Sequence, residues 1–327
     1  MANKALDNEL EGWLEAAAVP LLDDILDDRS NASKSVRAII GPHAGFAYSG
    51  PSAAFAYKCI DTKPIKRVFL LGPSHHVYLE DCALSSCDEW ETPLGNLIID
   101  NQIIGELYKT GHFRKMDKDV DEEEHSLEMH APYIYKTFEE KINDIKLVPI
   151  MVGNLSYDAE KLYGELLAPY LKDKENLFVI SSDFCHWGSR FRYTAYSSEE
   201  DNPSKSIVKL GYSYQTNSDL PIPIWKSIEN LDKEGMSAIE TMVHKDFDAY
   251  LKKSKNTICG RHPIGVLLGA VNKLFDITLP PPLSNSANVK QITPGQPSLK
   301  FVKYAQSSKV QDTRDSSVSY ASGFLAF

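Results

Sequence analysis

Four short apolar runs constrain this chain more than any other feature. Each is rich in β-branched or large aliphatic residues, and each stops at a small or polar turn. They are "VRAIIGPHAG" at Val36–Gly45, "RVFLLGPSHH" at Arg67–His76, "KLVPIMVGN" at Lys146–Asn154 and "LFVISSDFCHWG" at Leu177–Gly188. A strand with one wet face alternates apolar and polar residues, whereas near-continuous apolar runs suit parallel strands covered on both faces. Helical patterning over Ile103–Lys109, Glu124–Phe138 and Ala159–Leu171 supplies the crossovers that parallel strands need. The expected fold is α/β, with a largely parallel central sheet flanked by helices. "LKFVKYAQSS" and "SSVSYASGFLAF" read as two more strands, a closing pair on that sheet. An opening helix carries Leu10, Trp13, Leu14 and Ala17 at helical spacing, and Pro20 should break or restart it. No clean linker divides the chain, so a single domain is expected over 1–327, with Pro/Ser/Asn-rich surface loops at about 197–224 and 279–298.

Composition narrows the function classes. At 327 residues, 43% hydrophobic and 24% charged, the chain has the make-up of an ordinary soluble globular protein. Lys+Arg of 35 against Asp+Glu of 45 gives a net charge of −10, with no basic run, so neither nucleic acid nor an anionic membrane is an expected partner. No apolar stretch approaches the roughly 20 residues of a membrane span. The acidic N-terminal segment lacks the basic and apolar regions of a signal peptide. The five cysteines are sparse, odd in number and not arranged as C-x-x-C, which argues for reduced thiols in a reducing compartment. The cytoplasm is the expected location, with the nucleus as a second one.

Three of the apolar runs lead into histidine. Ile40 is followed by Gly41-Pro42-His43, Leu71 by Gly72-Pro73-Ser74-His75-His76, and Ile180 by Ser181-Ser182-Asp183-Phe184-Cys185-His186. Ligands of open α/β sheets bind outside the strand carboxyl ends. If these strands are parallel neighbours, His43, His75, Asp183 and His186 converge on one edge. Each histidine singly has about even odds of being a turn residue satisfied by backbone; together they favour a metal site, because neutral imidazole suits Zn, Cu, Fe and Ni. The third ligand is open between Asp183 and Cys259. Cys259 precedes a helix that Pro263 should start, whose buried face is Ile264, Leu268, Val271 and Phe275. That helix N-terminus and Arg261 should favour the thiolate, which is nucleophile and ligand alike. In "EEEHSLEMH", His125 and His130 are five apart, the wrong spacing for a helical zinc pair, while His125 and Glu128 share a face. His112 and His244 sit in polar surroundings and are expected at the surface, and Cys82 and Cys87 in the core.

Seven ordered blocks then carry a resemblance: "RAIIGPHAGFAYSG", "LGPSHHVYLEDCALSS", "ETPLGNL", "DEEEHSLEMHAPY", "NLFVISSDFCHWGSRFRY", "NTICGRHPIGVLL" and "YAQSS…DSSVSYASG". Together they resemble the Memo family, from Leu10 to the C-terminus apart from the two loops. The resemblance implies a fold similar to class III extradiol dioxygenases, which use non-haem Fe2+. It also implies a metal-binding redox protein linked to iron or copper handling. In that pattern His43, His75 and Cys259 are the metal ligands; zinc is a further candidate metal. His186 takes the place of the dioxygenase acid/base, with Asp183 beside the metal. Cys259 stands where the dioxygenases hold a carboxylate, and a softer thiolate there tilts the site toward Cu(I), Zn or thiolate-tolerant iron. Two alternative readings follow: an extradiol-type dioxygenase acting on a small aromatic substrate, and a non-catalytic adaptor for phosphotyrosine peptides. The family's A-G-S-W-Y segment, implicated in the phosphopeptide surface, is missing from "MANKALDNELEGWL", which weakens the adaptor expectation.

Overall fold

A computed structural model describes residues 3–20, 22, 34–211, 213–275, 277 and 296–327. The first helix, α1 (Lys4–Ala16), is capped by the Asn3 side chain and buries Leu10; helical backbone resumes at Pro20. Next come β1 (Val36–Gly41), α2 (Phe46–Tyr57), β2 (Arg67–Pro73), β3 (Cys82–Leu84), and a hairpin of β4 (Glu89–Glu91) and β5 (Asn96–Ile99). They are followed by α3 (Asn101–Lys109), β6 (Phe113–Lys115) and three short helices, α4 (Lys118–Glu123), α5 (His125–Glu128) and α6 (Ala131–Thr137). The second half holds β7 (Lys146–Val152), α7 (Tyr157–Lys172), β8 (Asn176–Ser181), β9 (Asp183–Trp187), β10 (Ala195–Tyr196) and β11 (Val208–Lys209). It ends with α8 (Ile224–Glu240), α9 (His244–Ser254), α10 (Arg261–Phe275), β12 (Ser298–Gln306) and β13 (Ser317–Ala326).

The main sheet runs β12-β13-β1-β8-β2-β7-β3-β6. Its centre, β1-β8-β2-β7, is parallel, and these are the four apolar runs. All six residues of β1 and all six of β8 are buried, as burial on both faces requires. Each such Val, Leu or Ile contributes about 1.5–3 kcal/mol, which no surface ion pair approaches. The Phe69 and Phe178 rings stack 4.6 Å apart across β2 and β8. Antiparallel strands flank the centre: β13 pairs with β1, β12 and β9, and β3 with β7. The fold class is therefore the expected α/β, and the last two strands do close the sheet.

Some boundaries differ from the sequence expectation. The helix expected over Glu124–Phe138 is two, α5 and α6. Pro132 lies in the first turn of α6; it has no N–H for the carbonyl four residues back, so a continuous helix would lose a bond there. α10 begins at Arg261, two residues before Pro263. The described residues of 197–223 are irregular apart from β11 and two 3₁₀ turns, and residues in and around this stretch close a smaller second core around Trp187, Tyr196 and Ile228. The other expected loop, about 279–298, lies outside the described residues up to position 295. No helix among the described residues is long and apolar enough to cross a membrane.

Candidate metal centre

Strands β1, β8 and β2 are adjacent and parallel, so the residues just past their carboxyl ends meet. His43 follows β1, His75 follows β2, and Asp183 opens β9 directly after β8. Cys259 arrives from the turn before α10. Gly260 permits that approach: a Cβ there would lie 2.3 Å from the Ser181 carbonyl oxygen. The donor atoms of His43, His75 and Cys259 all lie within 4.8 Å of one another. The Cys259 Sγ is 3.3 Å from His43 Nε2.

Hydrogen bonds fix which ring nitrogens face this cluster. The Ser181 hydroxyl donates to the Ser126 carbonyl (2.6 Å), so at His43 Nδ1 (2.6 Å) it must accept. His43 therefore carries its proton on Nδ1 and turns a bare Nε2 toward Cys259. Burial, then the neighbouring His75, His125 and His186, hold the His43 pKa well below its ordinary value, which keeps the ring neutral. His75 donates from Nδ1 to Glu124 Oε1 (2.9 Å), and its backbone N–H donates to Oε2 (2.6 Å). Glu124 is fully buried. Burial opposes its ionisation, but the side-chain and backbone hydrogen bonds from His75 and the Ser126 N–H overcome that, and the carboxyl falls to about 2. A carboxylate behind a histidine in this way orients the ring and raises its basicity as a ligand. Close approach puts Glu124 there: a Cβ on Gly72 would sit 2.6 Å from Ser126 Oγ, and that hydroxyl donates to the Pro73 carbonyl.

His186 and Asp183 border the cluster. The His186 Nδ1 bonds the Phe184 carbonyl (2.9 Å) and its backbone N–H donates to Thr257 Oγ1 (2.7 Å), which leaves Nε2 without a hydrogen bond among the described residues. Asp183 accepts the His43 backbone N–H (2.9 Å) and is buried, which raises its pKa, while the charges of His186 and His75 oppose the rise. The expected thiolate at Cys259 is not the metal-free state. Burial and the Asp183 charge push the thiol up, and the Asp183 and Gly260 N–H groups and Arg261 only partly oppose them. A bound metal ion reverses that balance, because a coordinating thiol is deprotonated.

Two neighbours lie outside the expected set of site residues. Glu124 was hidden in the acidic run "DEEEH", where only the register of α5 shows which carboxylate reaches His75. The His125 ring stacks on His75 with centroids 4.5 Å apart, and His75, Glu124 and His125 form a second close group. His244 is buried, against expectation: its Nε2 bonds Glu160 Oε2 (2.6 Å) and Tyr157 stacks on its ring. His262 bonds the other Glu160 oxygen and Asn154, which occupies both ring nitrogens, and His112 is exposed. Cys82 is buried in β3, but Cys87 lies beyond the strand and is half-buried.

The sequence profile described as Memo-like protein matches residues 2–324. The chain belongs to the Memo family. Similar relatives include Protein MEMO1 of Xenopus tropicalis, 46% identical over 331 residues, covering 99% of each chain. Protein MEMO1 of Homo sapiens is 45% identical over 320 residues, covering 98% of this chain and 91% of its own. The Protein memo-1 homolog of Caenorhabditis elegans is 41% identical, covering 98% and 77%. A crystal structure of uncharacterized protein JW3007 from Escherichia coli K12 is similar with a TM-score of 0.43 at 12% identity, covering 87% of this chain and 98% of that one. A likeness that distant carries no functional weight.

Two substitutions probe the supports of this Memo-family site. Gly260→Ala is expected to cost about 1–3 kcal/mol in urea unfolding, because the new methyl must displace backbone rather than a flexible side chain. Asp232 is fully buried and braces the Cys259 loop. It accepts from Asn256 Nδ2 (2.9 Å), from the Cys185 N–H next to His186 (3.3 Å) and from Tyr304 (2.9 Å). Burial raises its carboxyl to about 6. The folded chain thus keeps a proton that the unfolded chain releases nearer the ordinary value. This group's contribution is largest below that value and declines as pH rises to about 6, by on the order of 3 kcal/mol. Asp232→Asn should remove this component from the pH dependence of urea unfolding; an unchanged profile would count against it.

Proposed function

We propose that this Memo-family protein binds iron or copper through His43, His75 and Cys259 and works as a metal-dependent redox protein in the reducing interior of the cell. One observation carries the reading. Two histidine nitrogens and a thiol converge within 4.8 Å, and each histidine is turned by an acceptor on its far nitrogen. The donor set fits a soft or borderline ion: His43 is held neutral, and a thiolate selects for Cu(I), Zn or iron over hard cations. Bound there, the ion would supply one-electron chemistry. The chain's own part is to orient the two imidazoles through Ser181 and Glu124 and to bring the half-buried Cys259 thiol beside His43. The test is elemental analysis with X-ray absorption on protein purified without added metal. Iron or copper with nitrogen and sulfur neighbours supports the reading, and zinc alone would remove the redox part of it.

His186 favours a second reading, an extradiol-type oxygenase. Its Nε2 makes no hydrogen bond among the described residues and its ring is near enough to His43 for their charges to interact, so it could move a proton at a substrate hydroxyl. Anaerobic loading with Fe2+, followed by catechol and O2, tests this. Absence of ring-opened product across several catechols would discard it.

A further inference from the structure

A cavity of about 930 Å³ opens between the β4–β5 hairpin, α4 and the start of α6. None of the groups proposed to bind metal lines it. Its wall carries Asp88, Glu89, Glu91, Asp121, Glu122 and Glu128 against one cation, Lys118, which already pairs with Glu122 at 3.3 Å. Exposed acidic residues are common, and these alone would mean little. Asp121 is different. It is only 6% exposed, and its Oδ2 accepts the hydroxyl of fully buried Ser85, while Oδ1 makes no well-formed hydrogen bond among the described residues, with the Cys87 thiol and the Trp90 indole the donors nearest the carboxyl. A buried carboxylate oxygen left without a donor is costly, and native structures rarely tolerate one without a ligand, ion or water.

The other wall features narrow the ligand. A divalent cation needs several oxygens converging on a point. Among the described residues, the groups of three or more potential ligands that close to metal distance all lie at the His75 end, and none includes Asp121. The volume suits an organic molecule. Trp90 and Ile98 add an aromatic and an aliphatic surface beside the carboxylates. Carboxylate plus indole is the chemistry that recognises alkylammonium and guanidinium groups, by charge-assisted hydrogen bonding and cation–π attraction.

We propose that this cavity is a binding site for an organic cation, a guanidinium or alkylammonium group that donates to Asp121 Oδ1 and packs against Trp90. The group can belong to a free amine or to an arginine side chain of a peptide. The test uses the full chain. Agmatine, acetyl-Gly-Arg-Gly-amide and calcium chloride are titrated in turn while the Trp90 indole N–H signal is followed by NMR, assigned with Trp90→Phe. Saturable shifts with agmatine or the peptide are expected, and the tighter of the two identifies the source. Asp121→Asn should weaken binding about tenfold or more, and higher salt should weaken it further. If Asp121→Asn fails to fold by circular dichroism, Glu128→Gln replaces it in the NMR titration, and Trp90→Ala, which lacks the reporter, is compared with wild type by calorimetric titration; each is expected to weaken binding severalfold. No saturation by either organic cation, saturation by calcium alone, or wild-type affinity in the folded variants would overturn the proposal.

Discussion

Alanine at His43, His75 or Cys259 is expected to take bound metal from about one ion per chain to near zero after dialysis against a competing chelator. His75→Ala is the cleanest of the three. The His75 side chain is 28% exposed, and its loss leaves Glu124 the backbone N–H groups of residue 75 and Ser126 as donors. His43 is buried, so its alanine variant also opens a hole and is expected to lose stability. Cys259→Ser keeps the size but exchanges a soft donor for a hard one, so copper(I) should be lost more completely than zinc. A pH dependence follows from the thiol. Because burial and Asp183 hold Cys259 protonated in the metal-free chain, metal uptake near neutral pH must release about one proton, and affinity must fall as pH falls. Calorimetric titration in two buffers of different ionisation enthalpy measures that proton. Unchanged metal content in all three alanine variants would end the metal reading.

Glu124→Gln is expected to lower metal affinity about 10–100-fold and stability by about 1–3 kcal/mol. The carboxylate receives three N–H donors: the His75 ring, the His75 backbone and the Ser126 backbone. A glutamine has one carbonyl oxygen, so its amide N–H₂ must point at one of them. Either a backbone N–H is orphaned or the imidazole loses the acceptor that keeps its Nε2 bare. The same carboxylate shapes acid stability in the opposite sense to Asp232. Its folded pKa is depressed to about 2, so its contribution is fully present above the ordinary glutamate value and is lost as pH falls through about 2. That amounts to on the order of 3 kcal/mol. Urea unfolding of the metal-free chain from pH 6 to pH 2 should show this loss in wild type and not in Glu124→Gln. Wild-type metal affinity in a folded Glu124→Gln variant would show that the Glu124–His75 contact does not tune the metal ligand.

Much of this was legible in the linear chain for a simple reason. A strand buried on both faces can hold almost nothing but apolar residues, so Val36–Gly41, Arg67–Pro73, Lys146–Val152 and Asn176–Ser181 announce themselves. Parallel neighbours end on the same edge, so the polar residues just beyond them, His43, His75 and Asp183, had to gather there. The family blocks favoured Cys259 over Asp183 as the third ligand and gave His186 an acid/base role. What escaped depends on contacts between distant residues. Glu124 and His75 are 49 positions apart, and Cys259 and His43 are 216 apart. The polar flanks of His244 pointed to the surface, yet one carboxylate, Glu160, makes its burial tolerable. The helix over Glu124–Phe138 broke at a proline whose effect periodicity underweights.

The order of residues was enough to set the sheet, its ligand edge and the residue types gathered there, because hydrophobic burial follows local pattern. Protonation was not in the order of residues. A helix start and an arginine argued for a thiolate at Cys259, and burial beside Asp183 makes it a thiol. The tautomers of His43 and His75 depend on Ser181 and Glu124, and the open valence of Asp121 Oδ1 on how Ser85, Cys87 and Trp90 are placed around it. Charge states answer to every neighbour within several ångströms and to the water excluded between them, and those neighbours exist only once the chain has folded.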